Sequence, residues 1–133
     1  MPNSPRRRPL EPAALARDHF AHPRNAAGLL EPAPEVGTGV GGRVQSGTYI
    51  VFQVRVAAEG CIDAVRWECM GAPAAIAASS WLSEQLVGCS LEQAREWTAL
   101  GIGDALHLEP EALTALLPVE DALKAALDAL EVE

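Results

Sequence analysis

The chain lacks any run of roughly 18 consecutive apolar residues, so no part of it is expected to cross a bilayer as a helix. Charge at its N-terminus is not followed by an apolar segment, so a secretory signal is not expected. Basic residues are few: 10 Lys and Arg stand against 18 Asp and Glu, and three of the ten are the run Arg6, Arg7, Arg8. Without that run, 7 basic side chains face 18 acidic ones, a balance of −11 that repels phosphate backbones and argues against a nucleic-acid partner. Cysteine is scarce as well. Cys61, Cys69 and Cys89 are odd in number and contain no CxxC pair, which excludes a disulfide framework and fits a reducing cytoplasm. Cys61 and Cys69 are eight residues apart on one expected strand, roughly 26 Å at about 3.3 Å per residue, too far to share a metal.

What is present is a foldable chain of 133 residues, 49% apolar, enough for one domain with a core. Residues 1–10, rich in Pro and Arg, read as a disordered basic tail, and residues 11–133 as a single domain. Pro12 suits the first turn of a helix that His22-Pro23 ends, because the residue before a proline is pushed out of the helical region. Residues 31–43, rich in Pro and Gly, read as a long loop into an edge strand. From Tyr49 to Ala57 the pattern has period two, with Ile50, Phe52, Val54 and Val56 on one face and Gln53 and Arg55 on the other. Glu59-Gly60 turns the chain into a second strand over Cys61–Met70, and so short a connection makes an antiparallel hairpin.

Helical spacing follows. Pro73 starts a helix that Gly88 ends, and Ser90 with Gln93 is a capping-box signature for the next, through about Ala99. Gly101 and Gly103 predict a loop, and His107, alternating with Leu106 and Leu108, a partly buried side chain. Leu113, Leu116 and Leu117 predict a short helix that Pro118 kinks or restarts, and Leu123, Ala126, Leu127 and Leu130 continue helical to the end. Strands first and helices after predict an α+β fold: a small antiparallel sheet of about three strands with helices packed on one face.

Several segments, in order, resemble the IscU/NifU-type iron–sulfur cluster assembly scaffold family. They are Asp18–Asn25 with Gly28, Gly37-Thr38-Gly39, the hairpin Tyr49–Met70, Gly71 with Ala75–Ala77 and Ser79-Ser80, Gly88–Leu91, and Glu120–Ala126. The resemblance covers residues 11–130. It implies a non-enzymatic scaffold whose three ligand loops hold an iron–sulfur cluster or zinc, and those loops are where this chain departs from the family. An Ala-Cys-Gly-Asp loop reads Gln45-Ser46-Gly47-Thr48 here, Gly-Cys-Gly-Ser reads Gly71-Ala72-Pro73-Ala74, and a His-Cys pair reads Thr114-Ala115. The chaperone-recognised Leu-Pro-Pro-Val-Lys tract reads Leu108-Glu109-Pro110-Glu111-Ala112.

Ser46, Thr48, Ala72, Thr114 and Ala115 thus occupy the metal-side positions with groups that cannot replace soft thiolates. The expectation is no bound cofactor and a degenerate metal site. Cys69, three residues before the second ligand position, is the candidate residual thiol, although its strand face suits a core side chain. The turn His22, Pro23, Arg24, Asn25 matches the family better than any ligand loop and is the candidate docking surface. Arg24 divides two readings of it, since a mere capping turn has little need of its charge. Expected partners are a cysteine desulfurase, a cluster-carrier protein or a second copy in a homo-oligomer. The other reading is a regulatory or adaptor module with no role in clusters.

Overall fold

A computed structural model describes residues 12–131; the tail expected over residues 1–10 lies outside the described residues. Helix α1 spans Pro12–Ala21. Strands β1 (Val36–Arg43), β2 (Thr48–Val56) and β3 (Ile62–Met70) then form an antiparallel sheet in that order, and helices α2 (Pro73–Leu86), α3 (Leu91–Arg95), α4 (Ala99–Ala105) and α5 (Leu113–Glu131) follow. The α+β architecture read from the sequence is the one observed. Ile50, Phe52 and Val54 of β2, with Val65 and Trp67 of β3, point to one face and are buried there against α2 and α5. Fully burying a side chain of this size contributes about 1.5–3 kcal/mol, so this layer dominates the stability.

The stretch expected to be mostly loop is an eight-residue edge strand, and its glycines explain why. Gly37, Gly39 and Gly41 alternate onto the core face of β1 and lie against the backbone of α5. A Cβ on Gly37, Gly39 or Gly41 would lie 2.1, 2.1 or 1.9 Å from the carbonyl oxygens of Ala126, Ala122 and Pro118 respectively. Glycine there lets α5 approach to backbone contact; composition alone reads as a loop because the reason lies 77 to 89 residues away.

Four further expectations change. Gly101 and Gly103 sit inside α4, not in a loop: Thr98 caps it by accepting from the Gly101 N–H at 3.0 Å, and buried Ala99 and Ile102 outweigh the helix cost of about 1 kcal/mol per glycine. The capping box of Ser90 and Gln93 forms as the sequence indicates, but α3 stops at Arg95, and Trp97 turns to meet Trp81 edge-on at 5.1 Å. Pro118 does not restart the last helix, which runs unbroken through it. It lies in the second turn of α5, where the lost amide bond is offset by burial of Leu116, Val119, Leu123 and Leu127. His107, expected partly buried, is exposed and left-handed at φ 50°, where it ends α4.

The outer face of the sheet is crossed by a strap. From Asn25, whose carbonyl accepts the Trp67 N–H at 3.2 Å, the chain passes over β2, where Gln53 accepts from the Leu30 N–H at 2.6 Å and donates to the Leu30 carbonyl at 3.1 Å. Gln53 is therefore buried, although its place opposite the core face predicts exposure.

Candidate functional site

The three loops that carry the metal-side positions meet at one end of the sheet. Ser46 lies in a 3-10 turn (Val44–Ser46) between β1 and β2, which Gly47 closes with φ 90°. Gly71, just after β3, presses on that turn: a Cβ there would stand 2.8 Å from Thr48 Oγ1 and 2.9 Å from the Gly47 carbonyl oxygen. The start of α5 abuts the same end, since Gly41 and Gly42 pack on Pro118, one turn beyond Ala115.

The side chains brought together offer little chemistry. The Ser46 hydroxyl donates to the Arg43 carbonyl at 2.9 Å and that of Thr114 to the Glu111 carbonyl at 2.9 Å. Thr48 is buried and Ala115 half-buried. Ala72 caps α2 with extended backbone and no side-chain bond, and Pro73 fixes the first helical φ while removing an amide donor. None of these five side chains is a soft or anionic ligand, so the residues present do not fit an iron–sulfur cluster at this end. Among the described residues, no group of three or more His, Cys, Asp or Glu side chains converges as a metal site.

Of the three cysteines only Cys69 lies near this end of the sheet. Cys69 is half-buried on the core face of β3, across from Ile50, and burial pushes its thiol up to about 11, so it is protonated at neutral pH. Cys61 bridges to Ser90 and thereby lies beside Cys89, a proximity hidden by their separation of 28 positions.

The turn after α1 is the most densely bonded polar region. Ser80, fully buried on α2, accepts the Arg24 N–H at 2.9 Å and shares a 2.6 Å bond with His19 Nδ1. The Arg24 carbonyl accepts the Trp67 indole N–H at 2.7 Å, and Asn25, left-handed at φ 65°, donates from its amide to Ser83 at 2.9 Å. The Arg24 guanidinium donates to Asp18 at 2.6 Å and lies 3.9 Å from Glu84. The Arg24 bond holds the Asp18 carboxyl below its ordinary range, and burial lowers the imidazole of His19, with Arg24 adding and Glu84 opposing. Arg24 thus uses its charge within the fold, so that charge alone does not divide a capping turn from a docking turn. His22 and Pro23 remain exposed, His22 resting 3.4 Å from Asp18. Sequence reading missed Ser80, Ser83 and Glu84 as partners of this turn. The only signal was the polar set Ser79, Ser80, Ser83, Glu84 and Gln85 on an otherwise apolar helix.

Beside this turn, Ala16 and Phe20 of α1 with Pro73, Ala77 and Leu108 line an apolar groove of about 380 Å³, in which Phe20 is 46% exposed. Among the described residues no helix is long and apolar enough to cross a membrane.

Residues 14–132 match the family described as the NifU-like N terminal domain. The chain is 34% identical over 110 residues to the iron–sulfur cluster assembly scaffold protein IscU of Azotobacter vinelandii, covering 83% of this chain and 86% of that protein. It is 37% identical over 111 residues to the mitochondrial iron sulfur cluster assembly protein 1 of Kluyveromyces lactis, which covers 83% of this chain; the chain spans only 62% of that relative's length. Among solved structures, a SUF-system iron–sulfur cluster assembly scaffold from Fervidobacterium islandicum superposes with a TM-score of 0.68, covering 85% of this chain and 93% of the other. At 18% identity that likeness speaks for the fold.

Proposed function

This chain belongs to the NifU-like N-terminal domain family, and from that we propose that it serves iron–sulfur cluster assembly by docking to protein partners rather than by holding a cluster or catalysing a reaction. One observation carries the reading: Ser46, Ala72 and Ala115 stand where the family resemblance calls for thiolates, while Cys61 and Cys89 lie at the far end of the hairpin and only Cys69, half-buried across from Ile50, lies near that end of the sheet. In a scaffold the cluster is cargo, and cargo without thiolates has no hold. The partner class that fits is a cysteine desulfurase or a cluster-carrier protein in a reducing cytoplasm, and the turn His22, Pro23, Arg24, Asn25 is the proposed contact.

Anaerobic reconstitution with iron and sulfide tests the lost hold. The expected product carries substoichiometric iron and no thiolate-to-metal charge-transfer absorption; stoichiometric iron with those bands overturns it. Docking is tested by titration calorimetry against a purified cysteine desulfurase. Wild type should bind, and His22→Ala, which alters an exposed and weakly paired side chain, should bind more weakly at unchanged melting temperature. No binding by wild type would favour an adaptor role outside cluster assembly.

A further inference from the structure

Helices cover only one face of the sheet, and the strap covers only half of the other. The uncovered half consists of two cross-strand rungs, Val40–Val51–Glu68 and Gly42–Tyr49–Met70, bounded on the strap side by Thr38–Gln53–Arg66. Its apolar members are open to solvent: Val40 is 49% exposed and Met70 63%, with Val51 and Tyr49 half-buried between them. Leu29, 39% exposed, stands on the strap one residue before Leu30, whose backbone is bonded to Gln53 of the neighbouring rung. The surface is thus a ridge beside a furrow: the strap, pinned to Gln53 through Leu30 and carrying the exposed Leu29, then the floor of Val40 and Val51.

The charges on this face have opposite sign and adjacent positions. Arg66 and Glu68 project from the same side of β3, two residues apart, one level with the ridge and the other with the furrow. Neither has an ion-pair partner among the described residues; Arg66 donates only to its neighbour's carbonyl, that of Val65, at 2.9 Å. A two-fold axis lying in the plane between two such faces, across the strands at the level of Trp67, brings β3 over β3. It then sets Arg66 of each copy opposite Glu68 of the other, and the ridge of each copy over the furrow of its partner. An isologous contact requires this reciprocity, and a patch with one sign of charge would lack it.

The geometry points to a second copy of this chain as the occupant: a face-to-face dimer in which Leu29 of each protomer packs on Val40 and Val51 of the other and the Arg66–Glu68 pairs close the rim. The inference stands apart from the proposed loss of the cluster, since it involves none of the ligand positions.

Sedimentation equilibrium of the full chain over a range of concentrations tests it, at about 0.15 M salt so that the repulsion between two molecules of net charge −8 is screened beyond about 8 Å. Wild type should follow a reversible monomer–dimer equilibrium. Val51→Lys, Arg66→Glu and Glu68→Arg should each weaken it by about tenfold or more, because the symmetry repeats every substitution. Arg66→Glu mixed with Glu68→Arg should regain association that neither has alone, since the mixed pair restores opposite charges at both contacts. Glu68 is exposed, so its reversal keeps the test meaningful even where Val51→Lys disturbs folding. A wild type that stays monomeric at every concentration or forms larger assemblies overturns the inference. So does a dimer indifferent to both reversals, or a mixture that associates no better than its components.

Discussion

At the scale of single residues, His19 makes the fold sensitive to acid. It is 2% exposed and bonded to Ser80, and burial lowers its pKa below the ordinary value near 6.5, with Asp18, Arg24 and Glu84 as its charged neighbours. The unfolded chain therefore binds a proton at this position more readily than the folded one. The stability involved is fully present above about pH 6.5 and is lost as pH falls toward the lowered value. Asp18, also lowered, adds a loss of the same sign at more acid pH. The melting temperature should stay flat from about pH 7 to 8 and begin to fall near pH 6.5; His19→Gln should lower it at pH 7.5 and flatten the decline from 6.5 to 5. A wild-type melting temperature unchanged down to pH 5 would contradict this. Arg24→Ala should cost about 1 kcal/mol or less, because its pair with Asp18 is one-third exposed and screened by solvent. Its backbone bonds to Ser80 and Trp67 survive the substitution, so chemical denaturation should show one cooperative transition at slightly lower denaturant.

Among the elements, the contact of β1 with α5 and the interior of α4 call for opposite substitutions. Gly39→Ala places a methyl 2.1 Å from the Ala122 oxygen and 2.4 Å from the Ala126 nitrogen, both backbone atoms that cannot swing aside. Overpacking of this kind costs about 1–3 kcal/mol or more, and the strand has to shift along the whole of α5. Gly103→Ala, by contrast, finds its nearest neighbour in the Leu116 side chain at 3.4 Å and gains helix propensity, so it should stabilise by about 0.5–1 kcal/mol. Urea melts of the two variants check both signs. If both destabilise, α4 has less room than the geometry indicates.

At the level of the whole molecule, the proposed function has packing rather than metal order the loops at the candidate site. Pro73 fixes the start of α2, Gly71 seats on Thr48, and Glu120 ties α4 to α5 by accepting the Ala99 N–H at 2.7 Å; that bond and the Lys124 ammonium at 2.9 Å within α5 hold its carboxyl below the usual range. Thermal unfolding should therefore be cooperative and indifferent to a strong chelator. A bound structural metal contributes folding free energy directly, so a fall of several degrees on chelation would reveal one.

The sequence by itself determined the hairpin, the three-strand sheet, the cap of α3 and the terminal helix. These rest on short-range rules: period two in Tyr49–Ala57, a capping box over four residues, and helical spacing in Leu123–Leu130. It also determined which atoms are available at the candidate site, since a side chain without sulfur lacks it in any fold. What only the tertiary structure decided depends on partners distant along the chain. Gly37, Gly39 and Gly41 make a strand because α5 comes to rest on them, and Gly101 and Gly103 a helix because Ile102 is buried. Gln53 is buried because the strap returns over it, and Arg24 is paired because α2 brings Glu84 and Ser80 to it. A local pattern fixes backbone preference and the face a side chain takes; what covers that face is set by segments that meet only after the chain has folded.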